Sequence, residues 1–368
     1  MRVVIASGIW PPDVGGPATH SPELAGWLAG RGHDVTVLTT ASTEPGAEPY
    51  PVRWVPRSRP PGFRHAEYAA RLASLTRNAD VAYVNSVLTR GAFGSRAPAV
   101  VKLTDDPAYE RARRLGLFAG DLDAFQRHRG GVRVAALRRM RDLALRRAAR
   151  ILCPSGYLAG LAAAWGVDPA RIEVVENAIP ETGAVGSSRF AVDGPLFAFA
   201  GRLGPAKALD VLLRALAEVE GATLVLAGDG PERDALERLT AELGLTDRVR
   251  FAGPLSRDEV LALHRAADAA VLSSAWENFP HAVVEALAVG TPVVSTDVGG
   301  VAEVVRDGET GLLVPAGDPA ALAAALRRIV AEPGLRERLA AAAAPSVERL
   351  RPEHVYARLE QILAEAAA

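Results

Sequence analysis

Two glutamates, Glu277 and Glu285, stand eight residues apart at a predicted junction between a strand and a helix. The apolar run 269–273 is typical of a buried strand, Pro280 suits the first turn of a helix, and Gly290 is expected to end that helix. Glu277 is therefore expected on the loop at the carboxyl end of the strand, and Glu285 about one and a half turns into the helix. Ligands of open α/β sheets bind at that edge.

The chemistry of two carboxylates narrows the range of ligands that could bind at this edge. Ionised carboxylates repel an anion but accept hydrogen bonds from the vicinal hydroxyls of a ribose or a hexose. A metal is a second possibility, but the neighbouring sequence supplies no further ligands. The alternative interpretation is that Glu277 favours a helix start electrostatically and that Glu285 lies on a solvated face. The spacing alone does not decide between these interpretations.

A possible anion site follows the apolar run 196–200, which predicts another buried strand. A turn beginning at Gly201 leads into a predicted helix, and such a turn binds anions through backbone N–H groups and the helix dipole. Arg202 and Lys207 would add two cations for a diphosphate. Lys207 is unusual because the chain has only one other lysine, Lys102, among its 42 basic residues. Solvated cations on a surface loop are the alternative.

Several motifs in a fixed order resemble one enzyme family. The E-x7-E pattern, E-A-L-A-x-G-x-P-V-V-S-T and G-G-x-x-E-V-V-x-D-G-x-x-G-L-L-V are similar to the carboxyl-terminal domain of retaining GT-B glycosyltransferases of family 4. W-P-P-D-V-G-G-P (Trp10–Pro17) and A-G-R-L-G-P-A-K (Ala200–Lys207) extend the resemblance over nearly the whole chain. It implies the GT-B fold, an α/β architecture of two Rossmann-like, doubly wound parallel-sheet domains facing a central cleft.

The resemblance also implies an activity. A hexosyltransferase of this family moves a sugar from a nucleotide diphosphate donor, here a UDP- or GDP-sugar, to an acceptor hydroxyl with retention of configuration, and it needs no metal or other cofactor. Arg202 and Lys207 would hold the diphosphate, Glu277 the sugar hydroxyls and Glu285 the ribose. The acceptor is left open between a small molecule, a glycan and a lipid.

The remaining implied contacts are mainly backbone contacts. The N–H groups around Asn278 and Phe279 would cradle phosphate or sugar, although Pro280 cannot donate. The pair Gly15 and Gly16 would let the backbone approach the donor closely, and a flexible turn without contacts is the alternative.

The chain departs from the family after its predicted strand 100–104. Many members have a histidine there, close to the transferred sugar, and this chain has Asp105 and Asp106 instead. Asp105 or Asp106 would replace the polar contact, and Lys102 lies just upstream. We do not interpret these acids as a metal-binding D-x-D, which belongs to a different glycosyltransferase fold.

Three other functions are alternatives to sugar transfer. A dehydrogenase would show G-x-G-x-x-G directly after the first strand, whereas residues 8–16 form a longer loop with two prolines. A GT-B epimerase that uses the same donor pocket, and a non-catalytic nucleotide-sugar-binding protein, both stay open.

Alternating strands and helices predict the domain organisation. The first domain is expected over 1–182, a linker over 183–194, a nucleotide-sugar-binding domain over 195–350, and a final helix over 351–368 that crosses back to the first domain. The length of 368 residues suits two domains.

The composition of the chain limits the partners and the cellular compartment that are expected for it. A net charge of −1 argues against general binding to nucleic acid. The single cysteine, Cys153, allows no internal disulfide and favours a reducing compartment. The first apolar run is too short for a signal peptide, and no stretch reaches the ~18–20 apolar residues of a membrane span, so a cytoplasmic enzyme is expected.

One basic segment leaves peripheral membrane contact open. Residues 133–151 predict a helix with Leu137, Met140, Ala144, Ala148 and Ile151 on one apolar face, and with arginines elsewhere. Such a helix binds anionic membranes. The preferred interpretation is that it packs on its sheet with solvated arginines.

Overall fold

A computed structural model describes residues 1–13, 16–86, 88–179, 185–190 and 192–368. The chain divides into two compact units, Met1–Ala178 together with Glu353–Ala368, and Ile179–Pro352. Within the described residues no helix is both long enough and apolar enough to span a lipid bilayer.

The first unit is built on a parallel sheet, in which seven strands are described. They are β1 (Arg2–Ser7), β2 (Asp34–Ala41), β3 (Val52–Pro56), β4 (Val81–Asn85), β5 (Ala99–Lys102), β6 (Arg150–Cys153) and β7 (Ile172–Val174). The strand order is β3-β2-β1-β4-β5-β6-β7. The helices in chain order are α1 (Gly16–Gly30), α2 (Pro61–Leu75), α3 (Leu88–Gly94), α4 (Pro107–Arg114), α5 (Leu122–Arg127), α6 (Val132–Arg147) and α7 (Gly156–Ala164).

Both faces of this sheet are buried, which explains the nearly continuous apolar runs of its strands. Val3 and Ile5 of β1 belong to one hydrophobic cluster, and Val4 and Ala6 belong to the other. Successive side chains of a strand point to opposite faces, so helices must cover the sheet on both sides.

The second unit repeats the plan with six described strands. They are β8 (Leu196–Ala200), β9 (Thr223–Ala227), β10 (Val249–Gly253), β11 (Ala269–Leu272), β12 (Val293–Thr296) and β13 (Gly311–Val314). The order is β10-β9-β8-β11-β12-β13, and all neighbours run parallel. The helices are α8 (Leu209–Ala217), α9 (Arg233–Glu242), α10 (Arg257–Ala266), α11 (His281–Ala288), α12 (Pro319–Ala331) and α13 (Leu335–Ser346).

The strand order of the second unit reverses at β8, which lies between β9 and β11. The loops that leave β8 and β11 therefore emerge side by side at the carboxyl edge of the sheet. This is the topological switch point at which open α/β sheets bind ligands. The two candidate sequences, 201–207 and 273–280, form these loops.

The last helix, α14 (Pro352–Ala367), packs mainly in the first unit. Its apolar face, including Leu359 and Ile362, is buried in the same cluster as Leu24 and Leu28 of α1. The Tyr356 hydroxyl lies 2.6 Å from a carboxylate oxygen of Glu23.

The predicted architecture of two doubly wound parallel sheets is confirmed, with two local differences. Strand β3 was not predicted, because V-R-W-V-P is short and ends in a proline. The helix expected over 133–151 ends at Arg147, and Ile151 lies in β6 instead. Part of the predicted linker, 183–184 and 191, lies outside the described residues.

Candidate functional site

The loop after β8 is held by its neighbours on both sides. The Leu203 amide donates to the Asp229 carbonyl (3.0 Å) in the loop after β9, and the Ala275 amide donates to the Ala206 carbonyl (2.9 Å) after β11. Gly228 lies so close to the backbone of Gly201 that a Cβ added to Gly228 would lie 1.9 Å from the Gly201 carbonyl oxygen. The position of this loop is therefore set by backbone contacts.

Lys207 sits at the end of that loop, just before a strained residue. Ala208 has φ 44° and ψ 48°, which is left-handed for a residue with a Cβ and costs about 1–2 kcal/mol. The Ser273 hydroxyl donates to the Lys207 carbonyl at 2.8 Å. The backbone that presents Lys207 is thus fixed by the strand edge next to it.

The Lys207 ammonium pairs with the Glu277 carboxylate, since its Nζ donates to Oε1. The Ser274 hydroxyl donates to the same oxygen at 2.9 Å, and the Thr296 hydroxyl donates to the Ser274 carbonyl at 2.7 Å. Glu277 is buried. Among the described residues no hydrogen bond reaches its other oxygen, Oε2. One carboxylate oxygen is thereby anchored, and the second remains an acceptor for a ligand.

The glycine pair at Gly299 and Gly300 positions the backbone of Glu277. The Gly300 amide donates to the Glu277 carbonyl at 3.1 Å. Gly299 has φ 55°, and a Cβ built on it would lie 1.7 Å from the Glu277 carbonyl oxygen. Only glycine permits this approach, so the G-G motif supports the acidic loop.

Asn278, Phe279 and Pro280 connect Glu277 to α11 and are buried. Pro280 is the residue that precedes the helix, and it provides no side-chain cap. Oε1 of Glu277 is engaged by Lys207 and Ser274, so among the described residues this carboxylate forms no cap hydrogen bond to α11. The dipole of α11 directs its positive end toward this loop.

Glu285 is the fifth residue of α11, and its side chain is 19 % exposed. Its Oε1 lies 3.8 Å from Nε of Arg257, an electrostatic contact longer than a hydrogen bond. Burial raises the pKa of Glu285, and the Arg257 charge partly opposes the rise. The interpretation of Glu285 as an ordinary solvated carboxylate is wrong.

Arg202 and Gly201 lie on the same loop as Lys207, and the Arg202 side chain is exposed. Gly16 begins α1 in the first unit. Gly15 lies outside the described residues, so the structure does not describe its contacts.

Asp105 belongs to the first unit and follows β5. It is half-buried, and burial together with the charges of Glu110 and Asp106 raises the pKa of Asp105 to about 7, against a hydrogen bond with Thr104. Its neighbour Asp106 is fully committed elsewhere. Asp106 accepts from the Ala108 amide at 2.9 Å as the cap of α4 and pairs with buried Arg141 at 2.7 Å. Of the two acids, only Asp105 keeps acceptor capacity for a ligand.

Sequence reasoning missed Ser274, which anchors the Glu277 carboxylate. A signal was present, because a hydroxyl three residues before a carboxylate in a loop reaches it easily. Lys102 has a structural contact: its buried ammonium donates to the Val175 carbonyl. Within the described residues no cluster of three or more histidine, cysteine or acidic side chains is arranged to hold a metal.

Two family models match the chain in succession. The model described as "Glycosyl transferase 4-like domain" matches residues 15–178, and the model described as "Glycosyl transferases group 1" matches residues 185–345. Together they cover both units.

Curated relatives match about half of the chain. The D-inositol 3-phosphate glycosyltransferase of Thermomonospora curvata is 41% identical over 206 residues, 49% of this chain and 48% of that protein. The enzyme of the same name from Streptomyces bingchenggensis is 36% identical over 225 residues, 55% of this chain and 49% of that protein. The matched region thus spans about half the length of these relatives.

Solved structures match over nearly the full chain. HepE from Anabaena, in complex with UDP and glucose, has a TM-score of 0.80 at 22% identity, covering 99% of this chain and 100% of that chain. Sucrose-phosphate synthase from Thermosynechococcus elongatus has a TM-score of 0.80 at 21% identity, covering 99% of each chain. At these identities the likeness concerns the fold. The consecutive family matches, the shared fold and the motif order agree: this chain belongs to the group 1 glycosyl transferases and has the GT-B fold.

Proposed function

We propose that this protein transfers a hexose from a nucleotide diphosphate donor to an acceptor hydroxyl, with retention of configuration and without a metal. The observation that carries the proposal is the arrangement of Lys207 and Glu277 at the switch point of the second unit. A cation for the diphosphate and an acceptor for sugar hydroxyls lie in direct contact there.

In this mechanism Lys207 and Arg202 bind the diphosphate and stabilise it as a leaving group. Gly201 allows the loop to approach the phosphates, and the N–H groups near Asn278 and Phe279, before Pro280, add to the anion site. The positive end of the α11 dipole also stabilises an anion bound there.

The carboxylates orient the rest of the donor. Oε2 of Glu277 accepts from the sugar hydroxyls, and Glu285 accepts from the ribose hydroxyls, because ionised acceptors form the stronger hydrogen bonds. In the first unit, Asp105 supplies the sugar contact in place of the family histidine. Gly15 and Gly16 are proposed as further donor-binding residues, because their motif W-P-P-D-V-G-G-P is part of the resemblance to the family.

The bond changes balance without an enzyme nucleophile. The bond between the anomeric carbon and the phosphate oxygen breaks, and the acceptor oxygen bonds to the same face of that carbon. The acceptor proton passes to the leaving phosphate oxygen. The protein contributes orientation and charge stabilisation.

The donor base and the acceptor are proposed from the relatives. HepE was solved with UDP and with UDP-glucose, which supports a UDP-hexose donor over a GDP-hexose. The name of the curated relatives supports a phosphorylated polyol as a first acceptor to test. The buried free thiol of Cys153 suits a reducing, cytoplasmic compartment.

The test is a transfer assay on the full chain. UDP- and GDP-hexoses are incubated with hydroxyl acceptors that include inositol 3-phosphate, with and without a chelator. We expect free UDP only when acceptor is present, unchanged rates with chelator, and a retained anomeric configuration by NMR. An epimerised donor without release of UDP would support the epimerase, and binding without turnover across all acceptors would support a binding protein.

Asp105→Asn tests the sugar contact through its pH dependence. Because the pKa of Asp105 is about 7, transfer by the unmodified protein should rise as pH increases through 7 and the carboxylate ionises. The variant should lack this step. An identical step in both proteins would remove Asp105 from the site.

A further inference from the structure

A closed network of side chains in the first unit begins at the residue next to Asp105. Its members are Asp106, Gln126, Arg141 and Trp165, here called the Asp106 network. They come from four places, namely the residue before α4, the helices α5 and α6, and the residue after α7. Each member contacts two others, so the network closes on itself.

Hydrogen bonds and one cation–π contact join these side chains. Oδ2 of Asp106 accepts from Arg141 at 2.7 Å and from Gln126 at 3.1 Å. The Trp165 indole N–H donates to Gln126 at 2.8 Å, and the Arg141 guanidinium carbon lies 3.8 Å from the Trp165 ring centroid. Oδ1 of Asp106 accepts from the Ala108 amide at 2.9 Å. Both oxygens of Asp106 are therefore engaged, and its carboxylate is held in one orientation.

The burial of Arg141 corrects the helix predicted from the sequence. Arg141 was expected outside the packed face of residues 133–151 and is only 4% exposed, whereas Met140 was expected on that face and is 49% exposed. Arg141 also pairs with Asp142 at 2.9 Å. A buried arginine needs such partners, so Arg141 is a fixed cation inside the unit, with Asp106 as its buried counter-charge.

The loop that contains Asp105 is short and is held on both sides. Only four residues separate β5 from α4. On the β5 side, Leu103 is buried and its amide donates to the Leu152 carbonyl at 2.8 Å. On the α4 side, Asp106 is held by its network. Asp105 lies directly beside this second anchor, so the position of its carboxylate depends on Asp106.

The same network sets part of the charge that acts on Asp105. Burial is the main cause that raises the pKa of Asp105, the charges of Glu110 and Asp106 raise it further, and Arg114 opposes the rise. Arg141 is the cation paired with Asp106. It therefore reduces the negative potential that Asp106 exerts on its neighbour.

We propose that Arg141 is a positioning residue for sugar transfer, because through Asp106 it holds the loop that presents Asp105 to the transferred sugar. The inference rests on the proposed function, in which Asp105 is the sugar contact. Arg141 is buried and acts through Asp106 rather than on the substrate. A role in stability alone would leave the titration of Asp105 unchanged, and the experiment separates these two roles.

Arg141→Met tests the proposal through the pH dependence of transfer. Methionine fills the space and packs on the Trp165 ring without a charge. Two backbone amides of α4 and the Gln126 amide still donate to Asp106, so its carboxylate stays ionised and lacks its cation. The midpoint of the rise in transfer, expected near pH 7, should move up by about one pH unit, which lowers transfer at pH 7 about five-fold.

Asp106→Asn should move the same midpoint in the opposite direction. Asparagine is a good residue before a helix but has no charge, and Arg141 is left with an excess of positive charge. The midpoint should fall by about one pH unit. This variant keeps the proposal testable if Arg141→Met does not fold. A loss of stability in both variants cannot move the two midpoints in opposite directions.

Two control variants separate lost packing from lost charge. Trp165→Phe keeps a ring against Arg141 but removes the N–H that holds Gln126, so it should lower the melting temperature and leave the midpoint in place. Arg113→Met removes an exposed arginine of α4, which lies 5.5 Å from the Tyr109 ring centroid, and should also leave the midpoint in place. Calorimetric affinity for UDP should be unchanged in every variant.

Carbon-13 NMR of labelled aspartate carboxyl groups follows the protonation of Asp105 without the transfer reaction, and Asp105→Asn assigns its signal. Lys102 of β5 has a pKa of about 7 and so titrates in the same range, and Arg138 of α6 also interacts with Asp106. Both residues are retained in every variant, so comparison with Asp105→Asn isolates Asp105.

The NMR and transfer midpoints distinguish failure of this inference from failure of the proposed function. NMR midpoints that move as expected, with an unchanged pH profile of transfer, would support the action of Arg141 on Asp105 and refute the sugar contact. Coincident NMR midpoints in the unmodified protein, Arg141→Met and Asp106→Asn would overturn the assignment of Arg141.

Discussion

Lys207 and Glu277 form an ion pair although 70 positions separate them in the sequence. The pair joins the loop after β8 to the loop after β11, the two loops that emerge at the reversal of strand order. The Ser274 hydroxyl donates a second hydrogen bond to the same carboxylate oxygen. The proposed cation for the diphosphate and the proposed acceptor for the sugar thus hold each other in position.

The two residues are proposed to contact different parts of the donor, so substitutions of each should affect different ligands. Lys207→Ala should weaken binding of UDP itself by roughly 10- to 100-fold, since hydrogen bonds to charged groups contribute about 1.5–3 kcal/mol. Glu277→Gln should leave UDP binding nearly unchanged and weaken binding of the UDP-sugar. Calorimetry with both ligands measures the difference.

The double variant checks whether the residues act as a unit. Because each residue orients the other, the two losses for the UDP-sugar should not add. Arg214→Ala, an exposed arginine on α8, is the control for loss of positive charge. Unchanged UDP affinity in Lys207→Ala would refute the assignment of this lysine.

Protonation of Glu285 should weaken donor binding at low pH. Burial raises its pKa, so its carboxylate becomes protonated at a higher pH than an ordinary glutamate, for which the pKa is about 4.3. A neutral carboxyl is a weaker acceptor for the ribose hydroxyls, and UDP affinity should fall as pH falls through the raised pKa. Glu285→Gln should bind UDP more weakly and lack this step.

The raised pKa of Glu285 also predicts that stability falls as pH rises, which is opposite to the predicted rise in UDP affinity. A carboxyl whose folded pKa is raised binds more protons in the folded state, so its contribution to stability is lost as pH rises through that pKa.

The control for the affinity test is the comparison of the unmodified protein with Glu285→Gln. The UDP phosphates titrate in the same way with both proteins, so the difference between their affinity curves isolates Glu285. Parallel affinity curves for the two proteins would contradict the proposed ribose contact.

The elements of the site could be predicted from local sequence, because each rests on a strong signal. Buried strands read as apolar runs, and Gly290 ends α11 with φ 82°. The partners within the site could not be predicted. The contact between Lys207 and Glu277 depends on the order of strands in the sheet, which the local pattern around either residue does not contain.

The same limit explains the error at α6. Helical spacing separates two faces, but it does not say which face packs against the rest of the unit when both contain apolar residues. Arg141 was assigned to solvent because an arginine is rarely buried without a partner. Its partners, Asp106 and Trp165, lie on other elements of the first unit.

Gly299 should be far less tolerant of a side chain than another glycine with similar backbone angles. Gly299→Ala places a Cβ 1.7 Å from the Glu277 carbonyl oxygen, whereas Gly308, with φ 73°, has no atom within 4 Å of the added Cβ. Gly308→Ala should cost only the left-handed penalty of about 1–2 kcal/mol. Gly299→Ala should cost more, because backbone must move.

Two measurements distinguish these glycine variants. Thermal melts should show the larger loss for Gly299→Ala, and calorimetry should show that this variant also loses affinity for the UDP-sugar through displacement of Glu277. Equal melting temperatures with unchanged UDP-sugar affinity would mean that the G-G motif does not position the acidic loop.

Lys102 should make the stability of the protein rise with pH. Its ammonium is buried in β5 and donates to the Val175 carbonyl, and burial lowers the pKa of Lys102 to about 7. The unfolded chain keeps this proton up to a pKa of about 10.4. Between these values the unfolded state binds more protons, so stability should rise with pH at up to ~1.4 kcal/mol per unit.

The neighbouring thiol limits the useful range. Burial raises the pKa of Cys153 to about 12, so above its ordinary value of about 8.5 the unfolded state releases that proton first and stability falls. Unfolding by denaturant at pH 7 to 8.5 therefore isolates the lysine. The difference in free energy of unfolding between the unmodified protein and Lys102→Met should grow in favour of the unmodified protein over that range. Lys102→Arg cannot lose its charge, so its free energy of unfolding should not rise with pH in this way. If the free energies of unfolding of all three proteins change in parallel with pH, Lys102 keeps its proton in the folded state.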